Sequence, residues 1–147
     1  FGIGMGEFAD MAGLVAHNSF VHAYTELGVI GGTLFFGMFF FNFLGLYRYR
    51  WVEHEIRDPD LRSFYPFQVA LLVGWTVGLL SLSRCYVVPT YLALSLPTAF
   101  LNLARVRLDP PRVFLLWDRL HLAKLTVSSA ICLVGIFAFV KVFARWG

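Results

Sequence analysis

Charge is what this sequence has least of. Asp, Glu, Lys and Arg make up 14% of the 147 residues, and hydrophobic residues make up 59%. A soluble domain carries about 25% charged residues, and a water-soluble fold this small could not hide so many apolar side chains. Cysteine is nearly absent. Cys85 and Cys132 are isolated, with no CxxC or other ligand spacing, which excludes a disulfide framework and a cysteine metal site. Cys132 sits in an apolar run and reads as a small packing residue. There is no signal-peptide pattern and no initial Met, so the chain is expected to be a processed or partial piece of something longer. The net charge of +3 does not indicate nucleic-acid binding, because the basic residues lie between apolar blocks, where membrane topology accounts for them.

What is present is a series of long apolar runs, which predicts an all-α, polytopic membrane protein of about four spans. Residues 27–47 carry no charge over 21 positions, roughly 30 Å at 1.5 Å per residue. That run ends at Arg48 and Arg50, with Tyr47, Tyr49 and Trp51 as interfacial aromatics. Residues 52–63 read as a charged loop with an Asp58-Pro59-Asp60 turn. Ser63 is an expected N-cap, with Pro66 in the first turn of a span over 64–82. Arg84 interrupts the apolar run before a third span at 86–103, where Pro89 and Pro97 mark expected kinks, and these two spans could instead form a tight hairpin. Residues 113–124 are mixed and suit the interface, and the last span covers about 125–142, with Lys124 ahead of it and Lys141 at its end. The span interiors hold no charged residue to mark an ion path, which argues against a transporter.

Charge bias orients these spans. The two long loops hold nine basic residues, and the opposite side holds three, Arg84, Lys141 and Arg145. The bias puts the long loops in the cytoplasm and both termini outside. The chain thus divides into a polar, non-cytoplasmic segment, 1–26, and a membrane domain, 27–147.

The polar segment is where chemistry is expected. Gly2, Gly4 and Gly6 alternate in a run that could cradle phosphate through backbone amides or be a flexible loop; no strand precedes it, as a dinucleotide fold would require. A helix capped at Asn18 or Ser19 places Asn18, His22, Thr25 and Glu26 on one face and Phe20, Ala23, Tyr24 and Leu27 on the other. His17 falls just outside the helix start. His17 and His22 are five apart, not the four that would stack two metal ligands, so no metal is expected. On the residues alone, both histidines suit interfacial hydrogen bonding as well as catalysis.

His17-Asn18, nine residues, then Gly28-Val29-Ile30-Gly31 resembles the H-[NSQ]-x9-G-x-x-[GTY] signature of the O-antigen ligases, within the wider ligase and polymerase superfamily. The likeness extends to the GxGxGxF run, to Glu26-Leu27-Gly28 and to the long apolar helix that follows. It covers roughly residues 1–47 through the motif and 64–103 in hydropathy.

The resemblance implies a membrane glycosyltransferase of the bacterial inner membrane. Such an enzyme moves a glycan from an undecaprenyl-diphosphate carrier to an acceptor on the periplasmic face, and this chain would be its C-terminal part. By that resemblance His17 is the catalytic residue that orients or deprotonates the acceptor hydroxyl, and an unperturbed imidazole pKa of about 6.5 suits that role. Asn18, His22, Glu26 and Arg84 are the implied substrate-binding residues. Gly28, Gly31 and Gly32 would let a neighbouring helix approach. No cofactor is implied; the lipid-linked glycan is substrate, and bound lipids or pigments are conceivable. The expected partners are membrane lipids and other transmembrane helices or subunits, not nucleic acid. Family members carry many more spans, with diphosphate-handling arginines ahead of the motif. Those arginines have no counterpart here, which leaves a non-catalytic accessory subunit of a larger membrane complex as the alternative.

Overall fold

The computed structural model of the protein describes residues 2–4, 6–7, 18–82, 84–115 and 118–143. They form four α-helices, α1 (Ser19–Val52), α2 (Pro59–Ser81), α3 (Val88–Val106) and α4 (Arg119–Phe143), with a 3-10 turn at Glu53–Glu55 and no strand among the described residues. Three of the helices, α1, α2 and α4, are long and apolar enough to cross a membrane, so the chain is a multi-pass membrane protein. The fourth expected span differs. At 19 residues α3 is nearly as long, but it carries Thr90, Ser95, Thr98, Asn102 and Arg105 and is not among those three.

Helix ends explain where the boundaries depart from the hydropathy reading. Asp58 accepts the amides of Asp60 and Leu61 through its carboxylate, and Pro59 takes the first helical position. The expected Asp-Pro-Asp turn is therefore an N-cap. α2 begins four residues before Ser63, and Pro66 lies inside the helix rather than in its first turn. Pro89 likewise sits in the first turn of α3 instead of kinking it, whereas Pro97 is internal. Asp118 takes the His121 amide at 2.7 Å and the Leu122 amide at 3.1 Å, so α4 starts at Arg119, inside the stretch expected to be mixed.

The order in space follows from a few contacts. The start of α1 meets Leu82 and the 84–87 turn through Ser19, and its end meets Phe114 and His121 through Arg48. Ser129 of α4 lies against Tyr24 and Thr33, so α4 runs antiparallel to α1. Thr98 and Leu101 of α3 lie against Asn42 and Gly45, so α3 runs parallel to α1. One end of the bundle, the near end, holds Asn18, Leu82 and the 84–87 turn. The far end holds the Glu53–Glu55 turn, residues 107–115 and Asp118.

Lipid is as apolar as leucine, so apolar burial alone does not drive these helices together. Close packing and polar clasps must. Phe20, Phe35 and Phe39 form an edge-to-face trio with centroids 5.3–5.6 Å apart. Each polar crossing has its own clasp: Asn42–Thr98 for α1 with α3, Tyr24–Ser129 for α1 with α4, and Trp75–Thr90 for α2 with α3. Such interhelical bonds contribute about 0.6 kcal/mol each on average.

Candidate active site

α1 is two helical pieces. Asn18 has extended backbone, and its side chain accepts the amides of Phe20 (2.9 Å) and Val21 (3.1 Å), which fixes the start at Ser19. Nine residues on, Gly28 takes φ 71°, ψ −173°, a conformation that only glycine adopts readily, and the helix breaks there. A helix end leaves carbonyls wanting donors. At this break the carbonyls of Thr25 and Glu26 accept the amides of Ile3 (3.0 Å) and Gly4 (3.2 Å). The alternating glycines thus form a strap across the break. A Cβ on Gly2 would stand 2.0 Å from the Glu26 carbonyl oxygen, and Gly4 has φ 111°. The amides of Ile3 and Gly4 are spent on the chain's own carbonyls, so they do not form a phosphate cradle.

The first piece is amphipathic, but both its faces are covered. Phe20, Ala23 and Tyr24 are buried as their apolar face requires, while Leu27 is 40% exposed. The polar face is covered as well, against the 84–87 turn, with His22 half-buried and Glu26 buried. Glu26 has a fully buried side chain, and its Oε1 lies 2.7 Å from His22 Nε2. His22 Nδ1 lies 3.5 Å from Cys85 Sγ, and the Tyr86 ring stands edge-on to the imidazole at 5.6 Å. The Tyr86 hydroxyl is electrostatically coupled to the Glu26 carboxylate. Burial first, then the Glu26 carboxylate, raises the Tyr86 pKa. Burial is also the main cause that pushes the Cys85 thiol up, with the Glu26 charge adding to it.

A thiol that keeps its hydrogen donates it to His22 Nδ1, and His22 Nε2–H donates to Glu26. Both ring nitrogens of His22 are therefore committed within the chain. The cluster fixes the α1 start; it does not offer His22 as a free base. Ser19 adds to this lock by donating to the Leu82 carbonyl and accepting the Arg84 amide at 2.8 Å.

Of the residues expected to form the site, Asn18, His22, Glu26 and Arg84 meet at the near end. His17 lies outside the described residues. Arg84 is exposed, its side chain at the rim of a 560 Å³ cavity between α2 and α3 that Gly74, Trp75 and Gly78 also line. The expected packing glycines do other work. Gly28 is the break, and a Cβ on Gly31 or Gly32 would meet Leu27 or the Tyr24 ring of the same helix. The glycines that admit neighbouring helices are Gly37, under Leu125 of α4, and Gly45, under Leu101 of α3.

Sequence reasoning missed Cys85 and Tyr86, although the charge bias had already put their turn on the same side as His22. It also missed a second histidine–carboxylate pair, at the far end. Buried His121 bonds Asp118 Oδ1 through Nδ1 at 2.6 Å, and its Nε2 faces the Arg48 guanidinium. Arg48 can only donate, so Nε2 accepts and Nδ1–H donates. The His121 amide, foremost, holds the Asp118 carboxyl below its ordinary value. This pair, with Arg48 also on the Phe114 carbonyl at 2.6 Å, pins α4 to the end of α1. No three His, Cys, Asp or Glu side chains among the described residues are grouped to hold a metal ion. Compared with known proteins, the chain matches no family model, no curated protein and no solved structure.

Proposed function

We propose that this chain is the C-terminal, acceptor-side part of a ligase-like membrane glycosyltransferase of the bacterial inner membrane. In this reading α3 is a fourth crossing, both termini are periplasmic, and the near end faces the periplasm. One observation carries it. Two fixed positions of the His17-Asn18-x9-Gly28 motif fall at structural turning points, Asn18 capping the helix and Gly28 breaking it, with the His22–Glu26 pair between them. A motif kept for a plain membrane anchor would not need each of those features.

The chemistry follows from the arrangement. The acceptor hydroxyl oxygen attacks the anomeric carbon of the carrier-bound glycan, the bond from that carbon to the diphosphate oxygen breaks, and the hydroxyl proton passes to His17. Asn18, His22 and Glu26 hold the helix start that presents His17. The leaving diphosphate concentrates negative charge and needs several placed cations. Among the described residues the near end offers Arg84 and Lys141, so in this reading further cations beyond them complete the donor half of the site. Glycan transfer in membranes carrying the native protein tests the reading. His17→Ala lowers transfer by about 10²–10⁴ with insertion unchanged, and transfer at the wild-type rate refutes it.

A second reading, an accessory subunit of a larger assembly, draws on the outer flank of α2. Phe64, Phe67 and Val77 are 55–68% exposed there. Photocrosslinking from Val77 separates the two: capture of an unrelated membrane subunit, with transfer insensitive to His17→Ala, supports the accessory role.

A further inference from the structure

A groove of about 650 Å³ runs between α1 and α3 along most of α3 and is bounded at the far end by residues 113–115. It is within the size range of small-ligand sites, about 300–1,000 Å³. Along α3 it extends from Tyr91 to Arg105, about 21 Å at 1.5 Å per residue, against about 15 Å for half a bilayer core. Of the polar residues on this side, Ser95, Thr98 and Asn42 are already bonded within the chain. Ser95 donates to the Leu92 carbonyl (2.9 Å), Thr98 to Asn42 Oδ1 (3.0 Å) and Asn42 Nδ2 to the Met38 carbonyl (2.9 Å). An occupant therefore meets Met38, Phe41, Leu94 and Phe114 along most of the groove.

The far mouth is different. Asn102 and Arg105, one turn apart, are both exposed and both line it. The neighbouring arginines are engaged, Arg107 with Asp58 at 3.6 Å and Arg112 with Glu55 at 3.1 Å. Arg105 has no carboxylate partner among the described residues. The groove thus asks for a molecule that is apolar along its length and anionic at one end.

We infer that the α1–α3 groove is a binding site for an anionic phospholipid, its acyl chain along Met38, Phe41 and Leu94 and its phosphate on Arg105 and Asn102. The site is separate from the near-end chemistry and does not depend on it.

The test is native mass spectrometry of the delipidated protein in detergent with equal amounts of phosphatidylglycerol and phosphatidylcholine. Phosphatidylglycerol is retained in preference. Arg105→Gln lowers that preference about five-fold, the effect of one basic residue near the headgroups. Ala99→Trp fills the groove from an exposed position and removes retention of both lipids. Arg107→Gln, whose partner is Asp58, leaves the preference as it was. No preference in the unmodified protein, a preference that survives Arg105→Gln, or wild-type retention in Ala99→Trp overturns the site. So does an equal loss in Arg107→Gln, which would show diffuse surface charge instead.

Discussion

Gly28→Ala and Gly78→Ala are the same chemical change within two of the membrane helices, and the structure gives them opposite signs. Gly28 has φ 71°, where a Cβ adds about 1–3 kcal/mol of strain. Gly78 lies inside α2 with nothing within 4 Å of where a methyl group would stand, so alanine there gains about 0.8–1.0 kcal/mol of helix propensity. The two variants should therefore differ by about 2–4 kcal/mol in unfolding free energy, measured by denaturation in mixed micelles. A second readout localises the effect. If Gly28→Ala draws α1 straight, the carbonyls of Thr25 and Glu26 return to the helix, and the amides of Ile3 and Gly4 exchange faster with solvent. A Gly28→Ala protein as stable as wild type, with those amides still protected, would refute the helix–break–helix account of the motif.

Three further outcomes follow from the same contacts. Ser19→Ala removes a bond to the Leu82 carbonyl and one from the Arg84 amide, and should cost about 1–3 kcal/mol in the same unfolding assay, because both groups lose a buried partner. Asp118 is held below its ordinary value of 3.8, so its carboxylate contributes stability above that pH and loses it as pH falls through the lowered folded value. The stability gap between wild type and Asp118→Asn should be constant above about pH 5 and close progressively below about pH 4; a gap unchanged at pH 3 contradicts this. Glu26→Gln removes the charge that adds to burial in raising Cys85, so thiol alkylation in a Cys132→Ser background should shift to lower pH; an unmoved profile would mean that the carboxylate does not sense the thiol.

Local chemistry was legible in the sequence, and distant partners were not. The Asn18 cap and the start at Ser19 follow from side-chain chemistry within three residues, which a sequence displays directly. The α2 start was hidden because Asp60 and Arg62 read as loop by hydropathy, although Asp58-Pro59 is itself a capping signal. The break at Gly28 was invisible to hydropathy, since a glycine inside an apolar run looks the same whether it bends the chain or admits a neighbour. His22 meets Cys85 across 63 positions and Arg48 meets His121 across 73, and no periodicity reports such pairs. The polar content of α3 was in plain view. What could not be read was that Thr98 and Asn42 satisfy one another, leaving Arg105 as the group that faces outward.

The proposed periplasmic transfer requires the near end, with Asn18, His22 and Glu26, to face away from the cytoplasm, and an impermeant thiol reagent applied to intact cells measures that. In a Cys85→Ser, Cys132→Ser background, Leu82→Cys probes the exposed turn at the near end and Asp109→Cys the exposed loop at the far end. The expected result is labelling of Leu82→Cys from outside, and of Asp109→Cys only once the cells are permeabilised. Labelling of Asp109→Cys in intact cells, with Leu82→Cys protected, would put the cluster in the cytoplasm and contradict the proposed periplasmic glycan transfer.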